Sequence, residues 1–210
     1  GDITLLTTNV ALSGNSTDLA AAFAGTVTTH TGTVTITNND YTVAELKAIN
    51  AATTGAITLS DPSSNISGTS SDIVLAFAAS AGGTAVTTNT GTVTITNSDY
   101  TLAQLKTINA ATSGSIILSD TTAALAGTVA DFVAAFTGTV TTHTGTITIS
   151  DSSSTTITAT DITTINTAST GAITVSNTID IEGSGSEVAA AFSAIDTNTG
   201  NATAKVTGNN

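Results

Sequence analysis

A glycine followed by an alternating apolar/polar run recurs along the whole chain: GDITLL at Gly1, GTVTIT at Gly32, GAITLS at Gly55, GTVTIT at Gly91, GSIILS at Gly114, GTITIS at Gly145 and GAITVS at Gly171. A weaker copy, GNATAKV, opens at Gly200. Successive glycines lie 31, 23, 36, 23, 31, 26 and 29 residues apart, so long and short spacings alternate, and in pairs they give 54, 59 and 57. A period of this size restricts the chain to a repeat architecture in which each unit buries its apolar face on the next. The units run approximately 1–54, 55–113, 114–170 and 171–210, the last incomplete, and form one array over residues 1–210.

Within each run apolar side chains fall at every second position: Ile3 and Leu5, Val34 and Ile36, Ile57 and Leu59, Val93 and Ile95, Ile116 and Leu118, Ile147 and Ile149, Ile173 and Val175. This is the period of a strand with one buried face. The other face is mostly Thr or Ser, whereas a doubly wound sheet, covered on both sides, reads as continuous apolar runs. Segments Thr26–Thr31, Ala85–Thr90 and Thr139–Thr144 are candidates for further short strands, which would make each coil a loop of about 57 residues.

Seven helices are expected between the strands, each opened by a side-chain cap and an acid or amide three residues later. The pairs are Asn15/Asp18, Thr69/Asp72, Thr128/Asp131 and Ser184/Glu187 in the long spacings, and Thr42/Glu45, Thr101/Gln104 and Thr158/Asp161 in the short ones. The first type presents a stripe such as Leu19, Ala22 and Phe23; the second presents Val43, Leu46 and Ile49. Helices of two or three turns are marginal alone, so each must lean on neighbours. The pattern predicts an α/β repeat: a strand-helix solenoid with parallel strands and short capped helices. A (β/α)8-like barrel is the alternative, disfavoured because that fold needs roughly 250 residues and bulky inward side chains.

Composition removes several functions. Three lysines (Lys47, Lys106, Lys205) and no arginine face fifteen carboxylates, a net charge of −12. Duplex binding needs cations to displace counterions from phosphate, so nucleic acid is not an expected partner. With no Cys there is no disulfide, thiolate chemistry or Cys-type zinc site. No apolar stretch approaches 18 residues, so no membrane insertion is expected.

Candidate chemistry is sparse. His30 and His143 occupy equivalent places where other copies carry Asn89 and Asn198, which marks a turn or strand-edge position rather than a catalytic one. Asn50, Asn109 and Asn166 follow the last apolar residue of each second-type helix and suit a structural ladder bonding the adjacent coil's backbone. Asp61, Asp120 and Asp151 at strand exits, with Asp40 and Asp99 at the matching exits, are weak calcium candidates, since calcium takes six to eight oxygens. Thr33, Thr35, Thr37, Thr92, Thr94, Thr96, Thr146 and Thr148 form possible binding rows on the wet face, of the kind an adhesin, ice binder or glycan binder uses. The GSGS at Gly183 reads as a helix cap, and neither a phosphate-binding loop nor a nucleophile elbow is present. No cofactor is expected beyond possible Ca²⁺, and no enzymatic activity.

The units YTVAELKAINAATTGAITLSD (Tyr41 to Asp61) and YTLAQLKTINAATSGSIILSD (Tyr100 to Asp120) resemble tandem-repeat segments of very large secreted or cell-surface proteins of marine cyanobacteria and other aquatic bacteria. The resemblance implies a non-catalytic structural role at the cell exterior. The third short unit, DSSSTTITATDITTIN (Asp151 to Asn166), departs from it in lacking the Tyr. A strand at Asp2 and another near Val206 lack polar caps, so the chain is expected to stack end to end with copies of itself or with adjacent repeats.

Overall fold

The computed structural model describes residues 2–78 and 86–208, and those residues form an α/β fold of short parallel strands and seven helices. The chain divides into two compact units, Gly1–Asn97 with Thr107–Ile117, and Ser98–Lys106 with Leu118–Asn210. The first carries β1 (Leu12–Gly14), α1 (Ser16–Ala22), β2 (Val34–Ile36), α2 (Val43–Ala52), β3 (Ile57–Leu59), β4 (Ile66–Gly68), α3 (Ser70–Phe77) and β5 (Val93–Ile95). The division passes through α4 (Leu102–Ala111) and β6 (Ile116–Leu118). The second carries β7 (Leu125–Gly127), α5 (Val129–Phe136), β8 (Ile147–Ile149), β9 (Thr156–Thr158), α6 (Ala159–Ala168), β10 (Ile173–Val175), β11 (Asp180–Gly183), α7 (Gly185–Ala194), β12 (Thr197–Asn198) and β13 (Thr203–Val206).

The strands form four open sheets, ordered β1-β2-β3, β4-β5-β6, β7-β8-β10-β12 and β9-β11-β13. No closed barrel forms among the described residues, which removes the (β/α)8 alternative. The strands pair in parallel, with Leu12 against Val34, Val34 against Ile57, Ile66 against Val93 and Ile147 against Ile173. Paired residues lie 22 to 27 positions apart, so one rung is close in length to the short glycine spacings and shorter than the long ones.

The alternation predicted for the inner strands holds. Val34, Ile36, Ile57, Leu59, Val93, Ile95, Ile116, Leu118, Ile147, Ile149, Ile173 and Val175 are all buried. The helix stripes are buried too, except that Ala22 is exposed. GDITLL behaves differently: Ile3 makes only a single bridge, to Val27, and is half exposed. Of the candidate short strands, Val27, His30, Asn89 and His143 supply single bridge residues, while Ala85 lies outside the described residues. Strands β1, β4, β7, β9 and β11, which the glycine-led runs do not mark, lead almost directly into helices.

Six of the seven caps form as the sequence predicts. Asn15, Thr42, Thr69, Thr128 and Ser184 accept the backbone N–H three residues on, and Thr101 accepts that of Gln104. Thr158 makes no such bond. It ends β9, so α6 starts straight off a strand, and its hydroxyl meets that of Thr160 at 3.2 Å instead.

Candidate functional site: hydroxyl rows, turn carboxylates and strand edges

The Thr rows lie on the outward faces of the sheets. Thr33, Thr37, Thr96 and Thr146 are exposed, and Thr35, Thr92, Thr94 and Thr148 half-buried. Register aligns Ser13, Thr35 and Thr58 in one sheet, Ser67 and Thr94 in another, and Ala126, Thr148, Thr174 and Thr197 in a third. Neighbours in such a row are roughly 4.8 Å apart. No row holds more than three consecutive threonines, because Ser, Ala or the exposed Ile117 interrupts it.

The carboxylates proposed for calcium do not converge: among the described residues no group of three His, Cys, Asp or Glu could hold a metal ion. Each of four has a hydrogen bond of its own. Asp61 accepts the Ser63 N–H at 3.0 Å, Asp120 accepts the N–H and hydroxyl of Thr122 at 2.7 and 2.6 Å, and Asp40 accepts from Asn38 Nδ2 at 2.5 Å. Buried Asp151 accepts the Val129 N–H, at the start of α5, at 2.8 Å. Asn38 and Asn97 take the same position, accepting the N–H groups of Ser16 and Ser70 at 2.7 Å. The residue leaving β2, β5 or β8 thus satisfies the first orphan donor of the preceding helix. Asp99 also has an interaction of its own.

Of the turn or strand-edge placement, the strand-edge half holds, since each histidine forms a single parallel bridge, and both are core residues. His30 and His143 are 2% and 0% exposed, and Asn89, their counterpart, is 0%. Nε2–H of His30 donates to the Val10 carbonyl at 2.7 Å and that of His143 to Ala123 at 2.8 Å. A carbonyl only accepts, so this sets the tautomer and leaves Nδ1 facing Thr53 at 3.2 Å and Ser169 at 3.3 Å. Asn89 donates from Nδ2 to the Ser64 carbonyl and the Tyr41 hydroxyl, both at 3.1 Å. Thr53, Thr112 and Ser169 each accept from the glycine N–H two residues on and donate to the carbonyl of His30, Asn89 or His143. Sequence reasoning missed these hydroxyls, although a Ser or Thr two residues before Gly55, Gly114 and Gly171 was a readable signal. Burial pushes the pKa of His143 down, partly offset by its bond to Ala123. Asn198, in β12, is exposed and bonds Ala202 instead.

The three ladder asparagines differ. Asn50 is buried and donates from Nδ2 to the carbonyls of Leu75 and Ala78, closing the end of α3, at 2.8 Å each. Asn109 is half-buried and Asn166 exposed. All three lysines bridge to the neighbouring rung: Lys47 to Asp72 and Lys106 to Asp131 at 2.5 Å, and Lys205 to Glu182 at 2.8 Å. Such exposed pairs are screened by solvent and add little to stability.

Fold and surface together define a parallel α/β repeat protein with hydroxyl-rich outer faces. The chain matches no protein-family model, no curated protein and no solved structure. No helix of the described residues is long and apolar enough to cross a membrane.

Proposed function

We propose that this chain is a non-catalytic structural protein of the cell exterior: a solenoid that serves as a segment or subunit of a surface fibre or giant surface-layer-type protein. The observation that carries the reading is the backbone-to-backbone stacking of rungs in register, with Ile or Val on one side of each inner strand and Thr or Ser on the other. Such stacking is open-ended, because every rung offers the next the edge it received from the last. The scarcity of cations and of oxidisable side chains suits a durable exposed material. Small-angle scattering and electron microscopy of the purified chain test it. An elongated particle supports the solenoid, and a compact, isometric envelope overturns it. Ice recrystallisation inhibition or glycan binding abolished by Thr35→Lys with Thr94→Lys would instead assign the Thr rows a binding function.

A further inference from the structure

His143 and Asn89 are buried joints of the same kind, and one of them can gain a proton. His143 is 0% exposed, with its Nε2–H on the Ala123 carbonyl, 20 residues back, and its Nδ1 facing the Ser169 hydroxyl, 26 residues on. The backbone closes the same joint: His143 N–H donates to Ala168 at 3.1 Å and Thr170 N–H donates to His143 at 2.8 Å. Asn89, equally buried, donates from Nδ2 to the Ser64 carbonyl and from its N–H to Ala111, while the Ser113 N–H and the Thr112 hydroxyl donate to its carbonyl. An amide side chain stays neutral in acid, and an imidazole does not.

A charge on His143 has no partner. The groups facing the ring are the Phe136 ring, 5.8 Å away between centroids, the Ala123 carbonyl and the Ser169 hydroxyl. Charged groups on the packed elements lie elsewhere: Asp131 is in the first turn of α5 and bridged to Lys106, and Asp161 is in the first turn of α6, whereas Phe136 ends α5 and Ser169 follows α6. Asp120, three residues before Ala123, is bonded to Thr122. An imidazolium gains one new bond, from Nδ1–H to Ser169, and loses the solvation of a full charge that no carboxylate balances. The second effect is the larger. Burial accordingly pushes the pKa of His143 down, partly offset by its bond to Ala123.

We propose that His143 is an acid-released clamp: its neutral ring ties Ala123 and Ser169 to the segment before β8, and protonation opens that joint while the Asn89 joint stays closed. Once the ring leaves the core for water, its bonds to Ala123 and Ser169 go, and the backbone bonds of His143 to Ala168 and Thr170 go with them. The rest of the fold persists, because opening one joint exposes only its own hydrogen bonds. This holds whether or not the molecule forms part of a fibre.

Hydrogen exchange of the whole chain, read by NMR between pH 7 and 5.5 and corrected for intrinsic rates, tests the clamp. Opening at the His143 and Thr170 amides should rise by up to about eightfold, the limit set by an ordinary imidazole pKa in the open state, while the Asn89 and Ser113 amides should not respond. His143→Asn, which installs the residue found at 89, should abolish the rise. His30→Asn, which removes the other imidazole, should leave it intact. Equal acceleration at both joints would mean global unfolding and would overturn the clamp, as would a rise that survives His143→Asn. Protonation of the His143 ring in the same spectra with Thr170 exchange unchanged would overturn it as well.

Discussion

Gly55 lies so close over Gly32 that a Cβ placed on it would stand 1.8 Å from the Gly32 carbonyl oxygen. Gly114 repeats this on Gly91 at 2.0 Å, and Gly171 on Gly145 at 1.7 Å. At these positions the glycine is therefore a packing requirement, because the backbone of one rung fills the space where a side chain would stand. Gly55→Ala and Gly171→Ala should each cost about 3 kcal/mol, the upper range for overpacking. Urea unfolding checks this, and a loss under about 0.5 kcal/mol, typical of a neutral surface change, would refute it.

Asp151 should tolerate Asn but not Ala. Asn38 and Asn97 show that an amide oxygen fills the same role, so Asp151→Asn should keep stability near that of the parent. Asp151→Ala leaves the Val129 N–H without its partner and should cost about 1–3 kcal/mol. Neither change should alter calcium binding measured by calorimetry.

The two tyrosines should respond oppositely to loss of the hydroxyl. Tyr41 receives a bond from Asn89, whereas the buried Tyr100 hydroxyl has no partner. Tyr41→Phe should cost about 1 kcal/mol and Tyr100→Phe should be neutral or stabilising. Burial, aided by the charge of Asp120, pushes the Tyr100 pKa up to about 12, and burial raises that of Tyr41 as well, so spectrophotometric titration should show late ionisation, with the component near pH 12 lost in Tyr100→Phe.

Stability should fall in acid, in two stages. The His143 pKa is held below its ordinary 6.5, so the unfolded chain takes up the proton first and stability is lost as pH falls below that value. Asp72 and Asp131, lowered chiefly by their bonds to Lys47 and Lys106, add a second loss below their ordinary 3.8. His143→Asn, the residue that stands in the equivalent place at 89, should flatten the first stage. An unchanged slope between pH 7 and 5 would contradict this.

Trypsin should cut first after Lys205. Lys47 and Lys106 lie inside α2 and α4, whereas Lys205 lies on an edge strand. Cleavage needs local opening, which is least costly at an open edge. Mass spectrometry of early digests should show loss of the last five residues before any internal cut.

Much of the architecture was legible because it is local. Strand alternation, helix stripes and six caps depend on residues within four positions of one another, and the glycine spacing fixed where each rung begins. The candidate surface was half legible: the outward Thr rows follow from alternation, but the inward placement of His30 and His143 does not, because a polar residue in a Thr-rich segment carries no mark of burial until its neighbours are in place. Asp151 shows the same limit, because the Val129 N–H that its carboxylate accepts lies 22 residues earlier. Tertiary structure alone decided which rung neighbours which, that Ile3 is half exposed while the like residue Ile57 is buried, and that Thr53 closes onto His30 across 23 residues. Those outcomes depend on backbone atoms brought together by chain reversal, and a linear sequence encodes the donors and acceptors without encoding their distances.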